Sequence, residues 1–281
     1  MPLTVNTKKN IILTIHDLRY VEIPRYYSLF RSLIAKSVVK SSISKASKII
    51  TVSKTMFKSI SKFTKKEKIS VIYNGLDDNF DLDISEETIN ITKKKYKLNF
   101  NFILTVGSLE KRKNLSVVLK SLGLINSLGY NKKLVIVGGL YNDSSNIMET
   151  RNFLDLNKDV IILNNVDDTE LKCLYKLADI FVFPSIYEGF GIPLLEAMFM
   201  KCPVIASDIE CFRELGKSYI TYFDPYSEED LSYKLLCMED KKEEVRNKTK
   251  LAFNQSLEFN YDNIANQIIK NYKELSNNIF N

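Results

Sequence analysis

Apolar positions along this chain follow two rhythms. Short, almost wholly apolar runs at 102–106, 134–138, 160–163, 179–184 and 203–206 have the length and the β-branched or aromatic content of strands covered on both faces. Between them lie stretches with apolar residues at helical spacing, such as NLSVVLKSLGLINSLG from Asn114 and IPLLEAMF from Ile192. Such alternation predicts an α/β fold, a parallel sheet wrapped by helices on both faces. Upstream, IILTI (11–15) reads as another buried strand, and the tail from Tyr261 to Leu275 places Ile264, Ile268 or Ile269, and Tyr272 on one helical stripe. The polar stretch 83–101 interrupts the pattern and reads as a connector. The expected organisation is therefore an amino-terminal part over 1–82, the connector, a carboxyl-terminal domain over 102–258, and a closing helix within 259–281 that packs back across the domains.

Candidate chemistry concentrates where strands hand over to helices. The run DIFVFPS (179–185) ends in a Pro-Ser turn and delivers the chain into EGFGIPLLE, with Glu188 and Glu196 eight positions apart. Gly189 and Gly191 permit close approach of backbone N–H groups to a ligand, and the helix that Pro193 opens aims its positive end at the same place. Glu196 then lies one turn inside that helix. Two acids at different depths suit the hydroxyls of two parts of one ligand, with a diphosphate between them; the plain alternative is a pair of solvated glutamates. A second such handover is FILTVGSLEKRKNL (102–115), where Arg112 and Lys113 stand at a strand-to-helix junction that favours an anion. Its alternative is a solvated basic turn.

Together these stretches resemble the retaining glycosyltransferases of family 4, which have the GT-B fold and move a sugar from a nucleotide donor. GSLEKRKNL is similar to that family's G-x-L-E-x-R-K-N-L turn, and PSIYEGFGIPLLEAM to its P-S-x-x-E-G-F-G-x-P-x-x-E-A-M element. LYKLADIFVFPS, then CPVIASD, RELG and FDP, follow in family order. Upstream, LTIHDLRYVEIP, KIITVSKTMFKSI and ISVIYNGLDDNF resemble the I-H-D-L, T-V-S and N-G-x-D elements, so the likeness runs from about Ile11 to about Leu275.

The resemblance implies a role for each matching residue. Lys113, with Arg112 beside it on the Gly107-Ser108 turn, meets the donor diphosphate, and Glu196 holds the ribose hydroxyls. Glu188 faces the transferred sugar, with the loop glycine Gly189 next to it. Backbone groups of Phe190, Gly191 and Ile192 support sugar hydroxyls and phosphate, while Asn165 and Val166 meet the base through main-chain atoms. His16, the one histidine in the chain, opens the His-Asp-Leu element whose histidine faces the donor sugar; its alternative is a strand-end histidine whose neighbour Asp17 caps the next segment. The implied reaction is hexosyl transfer with retention to a glycan or lipid-linked acceptor, as in cell-surface polysaccharide synthesis. No cofactor or metal is implied, since Lys, Arg and helix dipoles take the place of a divalent cation.

Three departures from the family pattern qualify this expectation. Ser108 stands where many relatives carry arginine, and Lys201 stands where the family has glycine at a helix end; if that position needs φ > 0, lysine is strained there. Only ten residues precede Ile11, so of two Rossmann-like domains the amino-terminal one is expected to be incomplete. That places the acceptor side in question and predicts an open sheet edge covered by self-association or by a complementary chain. A non-catalytic nucleotide-sugar-binding remnant, or one subunit of a split enzyme, is the alternative reading.

Composition is that of an ordinary globular protein, with 45% apolar and 26% charged residues among 281. Four cysteines without a Cys-x-x-Cys spacing give neither a zinc site nor a disulfide framework, which fits a reducing, cytoplasmic location. The net charge of +6 is unevenly spread: from Arg25 to Lys68 there are twelve Lys or Arg and one acid, Glu67. There Leu29, Leu33, Val39 and Ile43, with Phe30 and Ile34, form an apolar face opposite Arg31, Lys36, Lys40 and Lys45. This pattern suits a helix lying on an anionic membrane surface, or equally a core-facing helix with a solvated basic face. A basic membrane- or nucleic-acid-binding module is thus a third reading, with nucleic acid disfavoured because no recognition module accompanies the patch.

Overall fold

The computed structural model describes residues 10–76, 80, 83–139 and 144–277. The chain divides into two compact units, one comprising Met1–Leu76, Tyr187–Gly191 and Phe259–Asn281, the other Asp77–Ile186 and Ile192–Glu258.

Unit 1 begins with β1 (Ile12–Ile15), α1 (Arg19–Glu22), α2 (Leu29–Lys45), β2 (Lys48–Thr51), α3 (Lys54–Ile60) and β3 (Ile69–Val71). The strands form a parallel sheet in the order β1-β2-β3, with Ile12 opposite Lys48 and Ile49 opposite Ile69. Serines start the helices: Ser28 Oγ accepts from the Arg31 N–H, and Ser53 Oγ accepts from the Met56 N–H at 3.0 Å. Ile49, Met56 and Ile60 form the buried centre. Helix α2 does not bury the apolar face read from its sequence. Ile43 is buried, but Leu29, Phe30, Leu33 and Ile34 remain 81%, 74%, 68% and 47% exposed.

Unit 2 opens with α4 (Glu86–Lys95), inside the stretch read above as a connector. This helix has a local cause. Ser85 Oγ accepts from the Thr88 N–H, Glu86 and Glu87 occupy the positive end, and Lys93, Lys94 and Lys95 the negative end, so charge placement sustains a helix that has almost no apolar stripe. There follow β4 (Phe102–Val106), α5 (Leu115–Ser127), β5 (Lys133–Val137), α6 (Ser144–Phe153), β6 (Val160–Leu163), α7 (Asp168–Leu177) and β7 (Ile180–Phe183). The unit is completed by α8 (Ile192–Phe199), β8 (Val204–Ser207), α9 (Glu210–Gly216), β9 (Thr221–Phe223), α10 (Glu228–Asp240) and α11 (Lys242–Ser256).

Its six strands are all parallel, in the order β6-β5-β4-β7-β8-β9. Leu104, Leu134, Val135, Ile136, Phe181 and Val182 are wholly buried, the signature of strands covered on both faces. Successive strands run outward from β4 to β6; the chain then returns to β7 and runs outward the other way. The strand order reverses between β4 and β7, and the carboxyl ends of the strands at such a reversal are the usual ligand position in open parallel sheets.

The chain ends in unit 1 with α12 (Tyr261–Asn277). Its Ile264 packs with Ile50 and Ile72, with Ile12 and Ile268 alongside. Gly75 belongs to this contact, since a Cβ there would lie 2.7 Å from Ile264 Cδ1. The acidic residues of the N-G-x-D element, Asp77 and Asp78, lie outside the described residues. No helix among the described residues is long and apolar enough to cross a membrane.

Candidate active site

In unit 2 the chain leaves β4 through Gly107, at φ +150°, a conformation that favours glycine. A Cβ at Gly138, just past β5, would lie 2.0 Å from the Gly107 carbonyl oxygen, so the two turns interlock only as glycines. Lys113 folds back over this turn: a Cβ on Gly107 would touch Lys113 Cε at 3.3 Å. Its ammonium stands 5.3 Å from the centre of the Phe183 ring at the end of β7. The lysine charge is thereby delivered to the β4–β7 reversal.

Arg112 lies beside Lys113 on the same turn. It is buried, its Nε donates to Glu110 Oε2 at 2.9 Å, and Ser108 Oγ donates to Glu110 Oε1 at 3.0 Å. The Arg112 carbonyl accepts from the Ile186 N–H at 3.0 Å, tying this turn to the loop after β7. Glu110, which sequence reasoning did not single out, thus holds both Ser108 and Arg112. Asn114, at φ +54°, sets the entry to α5, and its side-chain amide donates to the Pro225 carbonyl at 2.7 Å.

Glu196 sits one turn inside α8, as its sequence position implies. Its Oε2 accepts from the Tyr175 hydroxyl at 2.9 Å. Burial raises the carboxyl group to about 7; the Tyr175 hydrogen bond opposes the rise and the charge of Asp168 adds to it. Asn165 takes φ +55° in an exposed turn with the half-buried Val166, immediately before α7. There Asp167 and Glu170 form a reciprocal capping box. Ile192 begins α8.

In unit 1, His16 follows β1 and is exposed. Asp17 pairs with Arg19 at 2.9 Å, so the plain role of that acid is confined to its own turn. The segment Tyr187–Gly191 is fixed by three contacts. The Leu18 N–H donates to the Tyr187 hydroxyl at 2.9 Å, Ser53 Oγ donates to the Gly189 carbonyl at 2.7 Å, and the Phe190 ring packs on Tyr73 and Phe259. A Cβ on Gly189 would lie 1.8 Å from the His16 carbonyl oxygen. Glycine there allows the backbone of the Glu188 loop to touch the backbone of the His16 turn. Glu188 is half-buried, and Gly191 has φ +112°. Ser53 was missed as a site residue: it caps α3 and anchors the loop at once, and the T-V-S wording was its signal.

Residues 87–254 match the family described as Glycosyl transferases group 1, and residues 3–80 match Glycosyltransferase Family 4. The chain belongs to the group 1 glycosyltransferases. It is 34% identical over 229 residues to the O-antigen chain mannosyltransferase RfbU of Salmonella typhimurium, a match covering 80% of this chain and 60% of that protein. It is 24% identical over 278 residues to the serotype-specific mannosyltransferase WbdA of Escherichia coli, covering 97% of this chain and 33% of the relative. The chain therefore spans 60% of the first relative's length and 33% of the second's. Among solved structures, Anabaena Alr3699/HepE in complex with UDP-glucose superposes with a TM-score of 0.81 at 19% identity, covering 95% of this chain and 73% of that one. Sucrose-phosphate synthase from Thermosynechococcus elongatus gives 0.79 at 20% identity, covering 94% and 67%. The fold is α/β of the GT-B class, as the sequence motifs implied.

Proposed function

We propose that this chain transfers a hexose from a nucleotide-diphosphate sugar to a glycan or lipid-linked acceptor, with retention, in the synthesis of a cell-surface polysaccharide. The observation that carries the reading is the convergence of Lys113 and Phe183 at the β4–β7 reversal, with Glu196 on the helix that follows β7. In unit 2, Lys113 and backbone N–H groups at the start of α8 receive the diphosphate, and Glu196 receives the ribose. The main chain at Asn165 and Val166 meets the base. In unit 1, His16 and Glu188 serve the transferred sugar. As the bond from the anomeric carbon to the diphosphate breaks, negative charge grows on the phosphate oxygens. A fixed ammonium and aligned N–H dipoles stabilise that charge more than the ground state, and they do so without a metal ion. The names of the mannosyltransferase relatives favour mannose as the sugar.

The exposed Leu29, Phe30, Leu33 and Ile34, beside the exposed Arg25, Arg31 and Lys36, favour action at an anionic membrane on its cytoplasmic side, where a lipid-linked acceptor resides.

The test is release of nucleoside diphosphate from GDP-mannose and UDP-glucose with oligosaccharide and lipid-linked acceptors, the product anomer being read by NMR. The expected product keeps the donor's anomeric configuration, and Glu188→Ala and His16→Ala lower turnover more than nucleotide affinity. Equal losses in rate and affinity would remove these two residues from the sugar end, and an inverted product would overturn retention.

A further inference from the structure

We propose that Tyr175 is a positioning residue for the donor ribose: its hydroxyl holds one carboxylate oxygen of Glu196 so that the other is presented to the ribose hydroxyls. The inference rests on the reading of Glu196 as the ribose ligand and adds a residue that reading does not contain.

Tyr175 is the largest wholly buried side chain among the described residues, and its hydroxyl reaches Glu196 Oε2 at 2.9 Å and the Pro193 carbonyl at 3.3 Å. Both acceptors lie in the first turns of α8. A buried hydroxyl is stable only when hydrogen-bonded, and these two acceptors meet that need. Burial also holds the phenol well above its ordinary value, so it stays a proton donor at every working pH. Its ring is fixed edge-on against Phe181 at 5.3 Å and Phe80 at 6.3 Å, and the capping box fixes the start of α7. A rigid donor on one helix thus sets the rotamer of an acid on another. A carboxylate has about four acceptor positions on two oxygens; occupying Oε2 from below leaves Oε1 for a diol. The titratable groups acting on Glu196 are Tyr175 and Asp168, both from α7, and Cys202 acts on Tyr175.

Tyr175→Phe keeps every ring contact and removes only the hydroxyl. Titration calorimetry with UDP and GDP, and with their 2′-deoxy forms, is the measurement, run across pH 6 to 8.5. For whichever nucleotide binds, the variant is expected to lose about tenfold in affinity for the ribose form and much less for the deoxy form. The pH midpoint of binding is expected to move upward, because the lost hydrogen bond favoured the carboxylate. In a Glu196→Ala background the same change is expected to have no further effect on ribose preference. Equal loss for ribose and deoxyribose forms, or an undiminished effect in the Glu196→Ala background, would make Tyr175 a packing residue and overturn the inference alone. Unchanged ribose binding by Glu196→Ala would overturn the ribose assignment on which it rests, as would failure of both nucleotides to bind.

Discussion

Glu196 titrates near 7 because its carboxyl group is buried, so without ligand it is partly protonated at neutral pH. The linkage sign follows directly. A carboxyl raised in the folded state binds more protons folded than unfolded, so stability falls as pH rises from the unfolded value of 4.5 through about 7. Glu196→Gln removes that cost, up to about 3 kcal/mol at pH 8 and almost none at pH 4. Thermal melting at the two pH values is expected to show a raised Tm for the variant at pH 8 only, alongside weaker nucleotide binding. Equal Tm differences at both would mean the group is not perturbed. Gly189 makes the opposite kind of prediction. Gly189→Ala drives a methyl group into the His16 carbonyl oxygen and is expected to cost about 1–3 kcal/mol in denaturant unfolding; an unchanged midpoint would place the two backbones apart. Among single residues, the sequence exposed those whose type is the signal: the glycines, the paired acids, and Lys201, which does take φ +56°. It concealed Glu110, Ser53 and Tyr175, ordinary residues whose meaning lies in a partner far along the chain or across a turn.

Elements were legible where burial is two-sided. Strands β4 to β8 of unit 2 lie within one residue of the apolar runs that announced them, because continuous apolar runs of this length have no solvent-facing alternative. Helix α8 coincides with IPLLEAMF. By contrast α4 was hidden, since capping and end charges sustain it rather than a stripe, and the short β9 with α9 carried no period long enough to read. Helix α2 shows the limit of a pattern: apolar spacing was visible, but which apolar residues meet the core was not. Its exposed Leu29, Phe30 and Leu33 lead to an element-scale prediction. Phe30→Glu with Leu33→Glu is expected to leave Tm unchanged within about 0.5 kcal/mol and to abolish flotation with phosphatidylglycerol vesicles. Wild-type flotation is expected to weaken at high salt and to be absent with phosphatidylcholine alone. A wild type that ignores both kinds of vesicle would remove the membrane role.

For the whole molecule, the motif order announced the GT-B class, while the membership of the two units was not legible. Tyr187–Gly191 and the closing helix belong to unit 1 although unit 2 separates them from its other residues in sequence, and such membership depends on contacts such as Ser53 to Gly189 and Ile264 to Ile50 that no local pattern encodes. The central claim at this scale is the proposed nucleotide site at the β4–β7 reversal, where Lys113 stands beside Phe183. The most direct test of that claim is titration calorimetry of the wild type and Lys113→Ala with UDP and GDP, with and without magnesium. The account predicts that the wild type binds at least one of them equally well without the metal, and that Lys113→Ala weakens this by about 1.5–3 kcal/mol, the contribution of a hydrogen bond to a charged group. Binding of neither at millimolar concentration, or binding that Lys113→Ala leaves untouched, would contradict it.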